Sequence, residues 1–334
     1  MHIFIDESGS FQVADKMPSP SVVGALIIPD HKLDELFANY AKVRRKIWPR
    51  GGEVKGRQLS ELHVAEVIKM LRCHSVLFEA VVVEMGMHTV DGLKAHQASL
   101  ADGLTRNLTP QHHENIHKGA ARLRAELEAM KLPGFVQSTA NFQLLREVYT
   151  RIPNYFAQRF PRELAQFKWV VDGKEPMVDA TPWEKWWSFV MLPYLQASSL
   201  RQPAGFLKDA DWSHFAPLLH DEIPEYLLPH IEPSDRPRLS VDLSKVFGDF
   251  RFSTDAEPGL ELVDIVTNGL RRAMVGHLQK AGWIGMPDLM IRRRDQNLTI
   301  ISMNGVEPPP KLPYADVIQH FKGVGREMLT TPRR

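Results

Sequence analysis

Seven residues near the start of the chain, Ile3-Phe4-Ile5-Asp6-Glu7-Ser8-Gly9, constrain the fold more than any other stretch. Three apolar residues run straight into two carboxylates, and Ser-Gly then turns the chain. A short apolar run ended by a turn signal predicts a buried strand. Such a strand delivers Asp6 to its carboxyl end, at the rim of a sheet. An acid there is costly unless a hydrogen-bond donor, a cation or a bound metal compensates it. A fold built on this strand must therefore supply Asp6 with a partner.

The chain has 334 residues, 43% of them hydrophobic, enough for one large domain or two ordinary ones. Its net charge of +1 removes any argument from global electrostatics, so a nucleic-acid surface would have to be local. A single cysteine, Cys73, excludes an intrachain disulfide framework and fits a reducing cytoplasm. No apolar run approaches the roughly 18 residues of a membrane span. The opening reads as a strand rather than as a signal peptide.

Residues 1–86 form a first unit. After the opening strand and a polar loop over 11–20, the run 21–29 predicts a second buried strand, antiparallel to the first. Residues 34–48 predict an amphipathic helix with Lys42, Arg44, Arg45 and Lys46 on its polar face. In Gly51-Gly52-Glu53-Val54-Lys55-Gly56, the two charged residues point the same way if the chain is extended. The flanking glycines allow a close backbone approach. A surface ion pair is the plainer reading of this stretch. Ser60 caps a helix ended by Cys73, read as a core thiol, and His74, read as a surface histidine. The valine-rich run 76–85 predicts a central strand, with Glu84 near the rim that carries Asp6 but read as structural.

Residues 87–163 read as a helical insertion. Its His112, His113 and His117 have no cysteine or fourth ligand beside them, and a polar helix face explains them better than zinc does. In 164–280 strand grammar returns. The run Phe167 to Gly173 repeats the opening device, with Asp172 at its end. A Trp-rich helix follows around 183–192, then a proline-broken stretch containing a short helix over 212–219. A strand over 247–253 comes next, and then a turn containing Asp255. A helix from Leu260 to about Leu278 carries Asp264 at the border of its apolar face, in line with Arg271. Residues 281–334 predict a hairpin over 289–303, containing Arg292-Arg293-Arg294, and a last helix over 315–328.

Clustered carboxylates without cysteine suit magnesium or manganese, and two such ions can support phosphodiester hydrolysis. Two carboxylates alone would suit a glycosidase acid–base pair instead. Chain spacing does not show which acids converge.

The opening Ile3-Phe4-Ile5-Asp6-Glu7-Ser8-Gly9 resembles the hallmark of a bacterial and phage family, domain of unknown function 3800. Glu53-Val54-Lys55-Gly56 is similar to that family's Glu-x-Lys block. Phe252 to Asp255, continued by Gly259-Leu260-Glu261-Leu262-Val263-Asp264, resembles its closing strand, turn and helix. Glu261 and Val263 replace the Gln and Ala that are common there. The resemblance implies an α/β fold: a ribonuclease H-like mixed sheet flanked by helices, with acids gathered at one rim. It further implies that Asp6, Asp172 and Asp264, with Glu53 as a fourth acid, hold Mg2+ or Mn2+, and that Lys55 neutralises or positions a phosphate. The implied activity is metal-dependent hydrolysis of RNA or DNA, in the family's setting of phage defence or mobile elements. Arg44, Arg45, Lys46, Arg57, Arg271 and Arg292 to Arg294 would meet phosphates. A non-catalytic nucleic-acid- or protein-binding module on the same fold is the alternative. No membrane association is implied, and the oligomeric state stays open, a homodimer included.

Overall fold

The computed structural model describes residues 1–106, 108–173, 186–187, 191–201, 204–220, 240–307, 309 and 311–330. The opening run forms β1 (His2–Ser8), which pairs antiparallel with β2 (Pro20–Ile28) so that Asp6 faces Gly24. Further strands are β3 (Leu77–Glu84), β4 (Lys168–Asp172), β5 (Leu219–His220), β6 (Ser240–Val241), β7 (Asp249–Ser253) and β8 (Thr299–Ile301). Six of them make one mixed sheet, in the order β7-β4-β1-β2-β3-β8, while β5 and β6 pair separately. β4 runs parallel to β1 and to β7, and β8 parallel to β3; β2 alone opposes the others.

Helices cover both faces. They are α1 (Asp30–Ile47), α2 (Glu61–Arg72), α3 (Val90–Thr105), α4 (Glu114–Ala129), α5 (Leu132–Ala157) and α6 (Leu192–Arg201). After them come α7 (Leu243–Val246), α8 (Pro258–Val275), α9 (Lys280–Trp283) and α10 (Ala315–Lys322). All of β2 is buried, and its side chains alternate between two cores. Val23, Ala25 and Ile27 join the core under α5, whereas Val22, Leu26 and Ile28 join the core under α1, α2 and α8. The expected helical insertion is thus the cover of one face.

α8 sits on the other face at a distance set by missing side chains. A Cβ at Gly259 would overlap the Phe4 ring, and one at Gly24 would overlap Thr267 and Phe78. Further along, Asn268 bonds Ser8 at 3.1 Å. From Gly259 to Asn268 the helix advances about 13 Å, and from Phe4 to Ser8 the strand advances about 13 Å. Helix and strand therefore stay in step.

Several expectations change. β3 lies next to the edge strand β8, not at the sheet centre; it is fully buried because helices cover both its faces. No hairpin forms over 289–303. Thr299–Ile301 adds to β3 in parallel, and Ile291 instead bridges to Arg326. Over 212–219 there is only a 3-10 turn at Ala216–Leu218, and the last helix stops at Lys322. Cys73 is exposed while His74 is buried, the reverse of the expectation. The His74 ring bonds the Met70 carbonyl at 2.8 Å and Asn39 at 3.0 Å, which satisfies it in the core. Of the Trp-rich helix, Trp186 and Trp187 are buried, and Trp183 lies outside the described residues.

The close approach makes a prediction. Gly259→Ala should cost about 1–3 kcal/mol through overpacking against Phe4. Gly51, at φ +73° with open space around it, should lose only about 1 kcal/mol as Ala. Urea midpoints compare the two; a Gly259 variant as stable as the parent would mean that α8 is not held this near the sheet.

Candidate functional site

Alternation along β1 aims its acid. Ile3 and Ile5 enter the α5-side core and Phe4 the α8-side core, so Asp6 and Ser8 face α8. On β4, Val170 belongs to the α8-side core, which puts Asp172 on that same face. Ile5 pairs with Val171, so the next step in register sets Asp6 beside Asp172. Both lie toward the carboxyl ends of adjacent parallel strands. α8 brings Asp264 over them, with the Asp6 and Asp264 carboxyls within hydrogen-bond reach of each other.

The stretch 51–56 supplies the remaining groups. Gly52 gives its carbonyl to Arg44 Nη2; Val54 N–H donates to Glu261 Oε1 at 3.1 Å, and Gly56 N–H to Asp264 Oδ2 at 2.6 Å. A Cβ at Gly56 would come within 2.8 Å of Ile265 Cα, so glycine is needed for this docking. Because residues 52, 54 and 56 are tied to α1 and α8, Glu53 and Lys55 project the other way, paired at 2.5 Å. Gly51 and Gly52 stand open at φ +73° and +69°.

Glu261 organises this arm. It is 3% exposed and accepts from Tyr40 Oη at 2.9 Å, Arg44 Nε at 2.7 Å, Arg44 Nη2 at 2.8 Å and Val54 N–H. Burial and the Glu261 carboxylate together push the Tyr40 phenol far above its usual range. In the sequence, Glu261 stands out only as a departure from the Gln common in the resembled family. The available signal was an acid among buried positions of a helix, which needs a cation or several donors.

The electrostatics of the cluster follow from crowding. Burial raises Asp172, Lys55 works against this, and Glu53 and Asp264 add repulsion, leaving its carboxyl pushed up to about 6. Asp264 is likewise raised, by burial first, although the Gly56 N–H and Lys55 oppose it. Burial would lower Lys55, but the bond to Glu53 and the charges of Glu53, Asp264 and Asp172 outweigh it and raise it. The structure therefore brings Asp6, Glu53, Lys55, Asp172 and Asp264 together. Asp255 stays exposed on its turn, and Glu84 is held by the Ser19 and Gly86 N–H groups.

The donors in this cluster are all carboxylate oxygens, the type that a hard divalent cation takes. Among the described residues, however, no three or more His, Cys, Asp or Glu side chains are disposed to hold a metal ion together as they stand. One oxygen on each of three of these acids is turned to a protein donor: Asp6 Oδ1 to the Glu7 N–H at 2.7 Å, Asp264 Oδ2 to Gly56, and Glu53 Oε1 to Lys55. The histidines of the insertion serve local structure. His113 caps α4, and His112 and His117 bond to Thr109.

The basic residues expected to meet phosphates divide. Arg44 is committed to Glu261, Lys46 to Glu66, Arg292 to Glu327, and Arg293 to the buried Glu79. Arg271 donates to the Pro20 carbonyl. Arg45, Arg57 and Arg294 are exposed, without an ion pair among the described residues. No described helix is long and apolar enough to cross a membrane. No family model, curated protein or solved structure matches the chain.

Two predictions follow from the charges. Between about pH 4 and about pH 6, folded Asp172 keeps a proton that the unfolded chain has released, so stability falls as pH rises through that window. Asp172→Asn should thus melt a few degrees above the parent at pH 7–8 and show no gain below about pH 4; a pH-independent difference would exclude this origin. Glu261→Ala should cost about 3–5 kcal/mol in chemical denaturation, because Arg44 and the Val54 N–H lose their buried acceptor.

Proposed function

We propose that the protein is a metal-dependent nuclease of ribonuclease H-like fold, hydrolysing phosphodiester bonds of RNA or DNA at the carboxyl rim of its sheet. The observation that carries this reading is the meeting of Asp172, Asp264 and Glu53 around Lys55, with the Asp6 carboxyl within hydrogen-bond reach of Asp264. These acids come from two strands, a helix and a loop. The mixed sheet with helices on both faces agrees with what the family resemblance implies.

In this reading Asp6, Asp172, Asp264 and Glu53 hold Mg2+ or Mn2+. When bound, such ions make water a stronger nucleophile and stabilise the leaving oxygen. The chain's own part is positional. Gly56 N–H fixes Asp264, the Glu7 N–H fixes Asp6, and Glu261 fixes the arm that carries Glu53 and Lys55. Lys55 binds a non-bridging phosphate oxygen, and Arg57, exposed beside the arm, meets a neighbouring phosphate. In the reaction, water oxygen bonds to phosphorus, the bond to the leaving oxygen breaks, and that oxygen takes up a proton. One water is consumed.

A non-catalytic binding module on the same fold is the second reading. It is favoured by one oxygen on each of Asp6, Asp264 and Glu53 being taken by a protein donor. Incubation with single- and double-stranded RNA and DNA in Mg2+ or Mn2+ separates the two. The nuclease reading expects cleavage that chelator abolishes and that falls about 100-fold or more in folded Asp6→Asn and Asp264→Asn proteins. Binding without cleavage, unaffected by chelator or by either substitution, would establish the module instead.

A further inference from the structure

We infer that a cavity among the covering helices binds a small, neutral, bicyclic aromatic molecule bearing a carbonyl. The cavity measures about 300 Å3, at the small end of the range for ligand sites. An apolar space of about 150 Å3 takes a benzene, so this one has room for a bicycle. Its walls come from α3, α4, α5, α6 and β8, on the α5 side of the sheet. The Asp6 cluster faces α8, so this site is separate from the rim and independent of the nuclease reading.

The walls say what fits. Leu100, Leu104, Phe142 and Ile301 border the space only partly buried, and an occupant would complete their burial. Phe135 and Trp186 are buried beside it, and the Phe142 and Tyr194 rings stand 4.4 Å apart, so much of the wall is aromatic. No Asp, Glu, Lys or Arg side chain lines it among the described residues, and a charged guest would find no counterion. The space is also preformed. The buried Gln97 amide donates to the Leu127 carbonyl at 2.7 Å and to the Met130 carbonyl at 2.8 Å, clamping α3 to the end of α4.

Most donors of the lining are already spent. Ser138 donates to Met130 Sδ at 3.5 Å, Thr139 to the Phe135 carbonyl at 3.0 Å and Gln143 to Glu147 at 2.7 Å. His96 differs. Its Nδ1 accepts the Asn304 N–H at 3.3 Å, which puts the ring proton on Nε2. Burial holds the imidazole below its ordinary pKa, so the ring is neutral at pH 7. Its Nε2–H is then a neutral donor, and the guest atom that meets it is an acceptor.

Titration at pH 7 with 1-indanone and with indane, the same bicycle with and without a ketone, tests this by ligand-detected NMR and calorimetry. Both should bind saturably, one molecule per chain. In His96→Leu the ratio of the indanone Kd to the indane Kd should rise about five- to tenfold, since only the ketone loses a donor. Leu100→Trp and Leu104→Phe, both at partly buried positions, should fill the space and abolish uptake of both compounds. No saturable binding to the parent, or binding that persists in both filled variants, overturns the inference. Equal weakening of the two compounds in His96→Leu overturns the assignment of a carbonyl. Dimerisation that the filled variants abolish, with no uptake of either compound, would seat an aromatic side chain of a second copy there and overturn the small-molecule assignment.

Discussion

The contact on which the rest depends is that of α8 with β1, β2 and the arm, made where side chains are missing. Gly259 admits the Phe4 ring, Gly24 admits Thr267, and Gly56 admits the helix backbone at Ile265. With side chains at these positions the helix would be pushed off, and the Asp264 carboxyl would move away from the strands. With glycine there, it reaches Asp6 and takes the Gly56 N–H. The matched advance of helix and strand keeps residues 259, 264 and 268 over residues 4, 6 and 8, an apolar step followed by two polar ones. The site is the polar continuation of a core seam.

Two acids on one helix, three residues apart, show what buried charge requires. Glu261 is closed: two guanidinium donors, a phenol and a backbone N–H surround it. Asp264 has one backbone N–H and a share of one lysine, among other acids, and its carboxyl is raised. The contrast is one of local charge count more than of burial. Around Glu261 a full cation balances a full anion. Around Asp264 one cation faces several carboxylates. The first arrangement fixes structure, holding α1, the arm and α8 together. The second leaves a standing demand for positive charge, which is why cation chemistry is the natural reading of that place.

Much of this was legible in the sequence, and what was not has identifiable causes. Short apolar runs ending in an acid and a turn mark β1 and β4 with Asp6 and Asp172, because strand ends and acid position are both local properties. Asp264 was legible at the edge of an apolar helix face for the same reason. Glu53 and Lys55 share a side because residues 52, 54 and 56 are tied inward, a pattern that two-residue spacing anticipates. Partner choice was not legible. Arg44 read as a phosphate contact, yet its acceptor Glu261 lies more than two hundred residues away. The Arg292–Arg294 run read as a basic patch, yet Arg293 turns inward to Glu79. The hairpin expectation failed because Thr299–Ile301 found a vacant edge on β3, a long-range pairing that no local turn signal encodes. Cys73 and His74 exchanged places because a one-residue difference at a helix end decides which side chain points inward.

The same partner choices limit how a polyanion could be held. A net charge of +1 conceals a chain in which many cations are already spent on internal acids. Among the described residues, exposed guanidinium groups without such pairing include Arg45, Arg50, Arg57, Arg106, Arg162 and Arg294, and Arg50 and Arg57 flank the arm. For the reading proposed above, the rim would add its own grip on a nucleic acid, through ions held by the four acids and through Lys55. Substrate and cation binding would be thermodynamically linked, each strengthening the other. Binding by a broad basic face has no such linkage.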